Sequence, residues 1–221
     1  MKKKRKLLLT GASGMIGSLV LTQALNDDSV GEIVSLVRKP SGIKHAKLQE
    51  IEVKDFMDYL PYADSFRGID HVIYCLGVYT GAVPREAFRK ITLDYPVRLA
   101  QAIYTASPQA NFALLSGQGA DRSEKSKLMF AKDKGAAENQ LERIGFSAFY
   151  SFRPGYIYPV KKRKEPNFSY RLFRKLYPWL KNLSDNLGLS SEELARAMYR
   201  VTLEKSAGRV LENQEIKSLG Q

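Results

Sequence analysis

Leu7-Leu8-Leu9-Thr10-Gly11-Ala12-Ser13-Gly14-Met15-Ile16-Gly17 runs straight into Ser18-Leu19-Val20-Leu21-Thr22-Gln23-Ala24-Leu25. A short apolar run stops at a glycine-rich turn. An amphipathic segment follows at once, apolar at Ile16, Leu19, Val20 and Ala24. That order reads strand, turn, helix. Glycines at Gly11, Gly14 and Gly17 suit a tight turn, close approach of backbone to a ligand, and close packing of helix on strand. The helix directs its unpaired N–H groups and the positive end of its dipole into the turn, where a pyrophosphate fits. A glycine triplet alone is a weak signal. This one follows an apolar strand, opens a helix and begins an α/β-patterned chain, so it reads as a dinucleotide-binding turn.

The 221 residues suffice for one sizeable domain. Hydrophobic residues make up 44% and charged residues 26%, an ordinary globular balance. The single cysteine, Cys75, leaves no internal disulfide framework and fits a reducing cytoplasm. No apolar run is long enough to span a bilayer. Lys2–Lys6 has the basic start of a secretory leader, but the apolar stretch after it is short and broken by Gly11. A cytoplasmic location is therefore expected. The net charge of +12 is concentrated at Lys2–Lys6, Lys161–Lys164 and Arg171–Lys181. Such charge attracts phosphorylated ligands, nucleic acid or anionic lipid, or simply solvates a face. No nucleic-acid-binding module is recognisable, so nucleic acid is not an expected partner.

Further strands read at Glu32–Val37, Leu48–Val53, Ile69–Gly77, Asn111–Ser116 and Phe146–Gly155, with short strands at Gly208–Leu211 and Gln214–Ile216. Phe56–Phe66 reads as an irregular helix interrupted by Pro61, and Pro84–Ala106 as a long helix kinked at Pro96. Phe168–Leu183 has the pattern of an amphipathic helix broken at Pro178, and Ser190-Ser191-Glu192-Glu193 opens a helix running to about Lys205. Alternating strands and helices predict an α/β fold with a doubly wound, mostly parallel sheet and a cofactor across its carboxyl ends. The second strand ends in Arg38-Lys39. An acidic residue there binds the ribose hydroxyls of NAD, whereas an arginine faces a 2′-phosphate. NADP(H) is therefore preferred over NAD(H), with Ser13 a second donor to that phosphate.

The spacing Gly-x-x-Gly-x-x-Gly after Thr10 resembles the extended and atypical short-chain dehydrogenase/reductase superfamily. Ser116 followed by Gly117-Gln118-Gly119-Ala120-Asp121 resembles the strand end of its Tat-interacting-protein-like, epimerase-like branch, and Arg153-Pro154-Gly155 recurs in atypical and extended members. The resemblance implies a single Rossmann-like domain over 1–221, with 156–206 contributing a small C-terminal helical substrate lobe. It implies cofactor contacts from Gly11, Ser13, Gly14, Met15, Ile16 and Gly17 in the turn, and from Arg38 and Lys39. It adds Asp55 and Phe56 near the adenine, and Leu76 and Gly77 near the adenosine ribose. Pro154, Gly155, Tyr156 and Ile157 would meet the nicotinamide. Asp55 is equally a candidate helix N-cap.

The family carries Tyr-x-x-x-Lys on a helix, which puts both side chains on one face. The lysine bonds the nicotinamide ribose and lowers the tyrosine pKa, and the tyrosine exchanges the proton. Here Phe130-Ala131-Lys132-Asp133-Lys134 keeps the lysine and places Phe130 at the tyrosine position. Phenylalanine has no exchangeable proton. Lys134 still suits the ribose, and Ser116 takes the substrate-orienting serine role. Tyr79 and Tyr156 are candidate proton sources. Cys75 reads as a buried strand thiol and not a nucleophile. His45 and His71 lack metal-ligand spacing and read as structural, so no metal is expected.

Two functional classes follow. One is an NADP(H)-dependent oxidoreductase or epimerase-like enzyme, acting on a small molecule with an altered proton donor. The other is a catalytically silent NADPH-binding sensor or interaction protein. The basic, aromatic segment 161–181 reads as substrate lobe, as a surface for an anionic membrane, or as a docking site for a protein partner. Neither the substrate nor an oligomeric state carries a readable motif.

Overall fold

In a computed structural model, which describes residues 3–160, 188–204 and 208–221, the opening stretch forms strand β1 (Arg5–Thr10) and helix α1 (Met15–Asn26). Leu7, Leu8 and Leu9 are all completely buried. Leu7 and Leu9 pack into one layer and Leu8 into the other. A strand covered on both faces needs an unbroken apolar run, which is why β1 does not alternate.

The sheet continues through β2 (Val30–Val37), β3 (Leu48–Glu52), β4 (His71–Tyr74), β5 (Asn111–Leu115) and β6 (Ala148–Arg153). Two short strands, β7 (Tyr156–Tyr158) and β8 (Gly188–Ser190), pair with each other, and β9 (Val210–Glu212) joins the main sheet. Seven strands lie in the order β3-β2-β1-β4-β5-β6-β9, all parallel. The chain winds outward from β1 to β3, then returns to lay β4 on the other side of β1. The crevice at that reversal is where ligands bind in open parallel sheets.

Helix α1 covers one face with α5 (Ser191–Leu203) and α6 (Asn213–Gly220). The other face carries a 3-10 helix (Leu60–Phe66), α3 (Tyr95–Ala106) and α4 (Met129–Ile144). A short helix, α2 (Arg85–Arg89), leads through a π turn (Lys90–Asp94) into α3.

Glycine shapes the junction of β1 and α1. Gly11 has φ +72°, and a Cβ on it would lie 2.7 Å from the Cys75 carbonyl oxygen. A Cβ on Gly17 would overlap the Gly11 carbonyl oxygen itself. The turn is thus wedged between the first turn of α1 and the end of β4.

Several elements differ from expectation. Pro61 lies in the first turn of its 3-10 helix and does not interrupt it, since a missing N–H costs nothing there. Pro96 also lies in a first turn, that of α3, and the helix adjusts before it. There the Tyr95 N–H reaches back to the Lys90 carbonyl, a widened turn that accommodates the missing donor and the ring. Gln214–Ile216 is helical in α6, its buried Ile216 serving an amphipathic helix face. The Ser190 capping signature forms as read. The Ser190 hydroxyl accepts from Glu193 N–H at 3.1 Å, and the Glu193 carboxylate accepts from Ser190 N–H at 2.6 Å. Of the range 156–206 assigned to a substrate lobe, α5 instead packs on α1 and the sheet. The Lys161–Lys164 run and the Phe168–Leu183 segment lie outside the described residues.

Candidate active site

A cavity of about 760 Å³ opens at the carboxyl ends of β1, β4, β5 and β6. Gly14, Met15 and Ile16 of the glycine turn form its floor beside Cys75, Leu76 and Gly77 at the end of β4. Val78, Tyr79 and Thr80 continue that wall, with Leu115, Ser116, Gly117 and Gln118 beyond β5. Phe130 and Lys134 face them from α4, and Pro154, Gly155, Tyr156 and Ile157 close the far side.

The N-terminus of α1 opens onto this cavity. Gly14 caps it without a side-chain hydrogen bond, and no acidic residue lies in its first turn. Gly14 N–H donates to the Gly11 carbonyl at 2.8 Å, and the first intrahelical bond runs from Ser18 N–H to the Gly14 carbonyl at 3.1 Å. The intervening N–H groups have no partner within the helix. With the dipole behind them they suit a phosphate, and Gly14 offers no Cβ to hold it off. The residues present fit a dinucleotide.

On α4, Phe130, Lys134 and Glu138 stand four residues apart on one face. Lys134 Nζ donates to the Ser116 carbonyl at 2.8 Å. Burial pulls its ammonium down to about 8, against an opposing pull from the Glu138 charge. Glu138 is completely buried. It accepts from the hydroxyls of Ser116 at 2.6 Å and Ser151 at 2.7 Å. Arg153 donates to it at 2.9 and 2.5 Å, and Arg122 at 2.9 Å. Burial alone raises this carboxyl, but the bonds from Arg153, Ser116, Arg122 and Ser151 outweigh it and hold it below the ordinary range. The Ser116 hydroxyl is therefore engaged by Glu138, and not turned to a substrate as expected. A buried carboxylate needs donors, and Ser116 is one of them. Its main chain forms the cavity wall.

The family model for the NAD dependent epimerase/dehydratase family matches residues 7–132, more than half of the chain. The chain belongs to that family. Among relatives, it is 27% identical over 203 residues to Leucinostatins biosynthesis cluster protein T of Purpureocillium lilacinum, covering 80% of this chain and 70% of that protein. It is 25% identical over 230 residues to Protein fmp-52, mitochondrial, of Neurospora crassa, covering 96% and 94%. Among solved structures, a UDP-N-acetylglucosamine 4-epimerase from Methanobrevibacter ruminantium matches with TM-score 0.71 at 17% identity, over 95% of this chain and 76% of that one. The PhqB reductase domain of Penicillium fellutanum matches with TM-score 0.71 at 15% identity, over 95% and 67%. These structures share the fold. The expectation of a cytoplasmic protein is overturned by the relatives named mitochondrial at 25–27% identity. A lone cysteine does not distinguish the two compartments.

Residues expected to contact cofactor in this family divide into two groups. Gly14, Met15, Ile16, Leu76, Gly77, Lys134, Pro154, Gly155, Tyr156 and Ile157 converge on the one cavity. Gly11 and Gly17 build the turn from behind, and Ser13 is exposed on it. Arg38 and Lys39 are exposed past the end of β2. Asp55 closes a local turn, accepting from Met57 N–H at 2.9 Å, and is not a helix N-cap, since the following 3-10 helix starts at Leu60 with Tyr59 before it. Phe56 is only 6% exposed and stacks on Tyr95 at 5.5 Å between ring centres, so its ring belongs to the core and not to the adenine site. Cys75 lines the cavity, but burial pushes its thiol up to about 12, and it stays protonated.

Sequence reading missed three participants. Gln118 signals itself only as a polar residue just past a strand's carboxyl end. Asn213 accepts from Gly155 N–H through Oδ1 at 2.8 Å, from 58 residues away. Glu138 is the third. Neither Asn213 nor Glu138 has a local signal.

Proposed function

We propose that the chain binds NADP(H) in this cavity and catalyses hydride transfer to a small molecule. One observation carries the reading: the open N-terminus of α1 and the Lys134 ammonium face one cavity at the sheet's reversal point. When bound, the cofactor supplies a hydride. The first-turn N–H groups of α1 hold its pyrophosphate, and Arg38 beside Lys39 meets the 2′-phosphate. Lys134 donates to the nicotinamide ribose and is held in place by the Ser116 carbonyl. Glu138 fixes Ser116, Ser151 and Arg153 together, so β5, β6 and α4 keep their spacing under the ligand. Leu76, Leu115 and Ile157 give the cavity apolar walls.

The test is a fluorescence titration of the purified protein with NADPH and NADH. NADPH is expected to bind at least ~10-fold more tightly, about 1.4 kcal/mol, and Arg38→Ala is expected to narrow that gap. Equal affinity for both would overturn the preference, and binding of neither would overturn the site. Phe130 favours a second reading, a cofactor-binding protein without turnover. Any acceptor that reoxidises bound NADPH rules it out. The names of the mitochondrial relatives support action in that organelle.

A further inference from the structure

We propose that this site reduces flat, conjugated carbonyl acceptors of the quinone type, with Lys134 giving the proton to the reduced acceptor. The proposal rests on the NADP(H) reading above and names the substrate class of that same cavity.

Phe130 limits which acceptors can be reduced here. When hydride reaches an isolated carbonyl, a localised alkoxide develops, and its conjugate acid is as weak an acid as water. Such an oxygen needs an acid in contact as its charge grows, which is worth about 10²–10⁴-fold in rate. In this cavity the place of that acid holds an apolar ring. A bare alkoxide against Phe130 would be desolvated without a donor. Lys134 lies one helical turn further on, tied to the Ser116 carbonyl. A conjugated acceptor removes the difficulty, because its charge does not stay where the hydride arrives.

One quinone oxygen gains the hydride from reduced nicotinamide and becomes a hydroxyl. The ring becomes aromatic and the electron pair settles on the opposite oxygen. The quinone is reduced by two electrons and the nicotinamide is oxidised. The remaining oxyanion is a phenolate, whose conjugate acid ionises near 10. Lys134 Nζ then gives it a proton, and the amine regains one from solvent. Burial has already brought the Lys134 ammonium down to about 8, so this transfer runs downhill.

The cavity suits such a ligand in shape and charge. Phe130, Tyr79 and Tyr156 contribute rings, and Val78, Leu76 and Leu115 add apolar walls. Among the described residues lining the cavity, Lys134 is the only charged side chain. Glu138 lies below it, but is matched by Arg122 and Arg153. The other titratable groups on the walls are Cys75, Tyr79 and Tyr156. Apart from Lys134 and the α1 N-terminus, which the cofactor reading already uses, no described wall residue carries a charge to pair with a second diphosphate or a carboxylate, whereas a neutral planar ring can stack.

The test uses the full chain saturated with NADPH, with 2-methyl-1,4-naphthoquinone and cyclohexanone as acceptors. The quinone is expected to oxidise NADPH at least ~100-fold faster than cyclohexanone. Its rate is expected to fall as pH rises through about 8, where Lys134 loses its proton. Phe130→Tyr is expected to raise the cyclohexanone rate towards the quinone rate. Calorimetric binding of the quinone to the NADP⁺-loaded protein gives a readout without turnover. Cofactor binding with neither quinone binding nor quinone turnover would overturn the proposal and leave the cofactor reading standing. Equal rates with both acceptors would overturn it too. Failure to bind NADPH at all would overturn both.

Discussion

Lys134 sits where two demands oppose each other. The proposed contact to the cofactor ribose needs an ammonium, and burial disfavours one, lowering it from 10.5 to about 8. Between those values the unfolded chain holds more protons than the folded one, so the stability of the cofactor-free protein rises with pH across that window. Below about pH 8 the cost of the buried charge is fully present. Lys134→Met keeps the length of the side chain and removes the charge. It is expected to stabilise the cofactor-free protein at pH 7 by about 1–3 kcal/mol, read as a higher urea midpoint. The same variant is expected to weaken NADPH binding at least ~10-fold, which a fluorescence titration reads. Lower stability would mean that the bond to the Ser116 carbonyl outweighs burial. Glu138 has the opposite sign. Its carboxyl is held low, so its contribution is present above the unfolded pKa and is lost as pH falls through the folded one. Glu138→Ala strands Arg122, Arg153, Ser116 and Ser151, and is expected to cost about 3–5 kcal/mol in urea unfolding at pH 7. A cost under 1 kcal/mol would mean that water replaces the carboxylate. Lys134 was legible in the sequence because its partner Phe130 lies four positions away on the same helix face. Glu138 was not, because its partners Ser116, Ser151 and Arg153 lie 22, 13 and 15 positions away on two strands. Only the fold brings them together, and in one dimension Glu138 is an ordinary helix surface residue.

At the scale of elements, β1, the glycine turn and α1 were readable because each is decided locally. An apolar run, a turn that excludes Cβ atoms and a period of 3.6 follow one another within 19 residues. Gly17→Ala tests that reading where helix propensity and packing disagree. Alanine favours a helix interior over glycine by about 1 kcal/mol. At this position its Cβ would overlap the Gly11 carbonyl oxygen, so α1 must lift from the turn. Packing is expected to prevail, lowering stability by about 1–3 kcal/mol in urea unfolding and reducing NADPH affinity with it. A stabilised variant would show that α1 lies further from β1. Elements decided by tertiary packing were less legible. Gln214–Ile216 has too short an apolar pattern to separate strand from helix, and packing against α5 settles it. The π turn before Pro96 is a local answer to a missing donor, and no residue type announces it.

Across the whole molecule, the cavity's far wall is tied to its floor through the back of the protein. Gly155 N–H ends in the side chain of Asn213, the first residue of α6. Helix α6 is held to α5 by Arg196, which donates to the Gly220 carbonyl at 2.6 Å. Helix α5 rests on α1, whose N-terminus forms the floor. A parallel sheet sets the strands' spacing but leaves the loops beyond their carboxyl ends to be placed by such long connections. Asn213→Ala removes the acceptor for Gly155 while leaving every cavity-lining side chain in place. A backbone donor left without a partner is expected to cost about 1–3 kcal/mol. Because Gly155 lines the cavity, NADPH affinity is expected to fall in the same variant. Urea unfolding and the titration separate the two effects. A loss of stability with unchanged affinity would mean that α6 supports the sheet without setting the position of the Pro154–Ile157 wall.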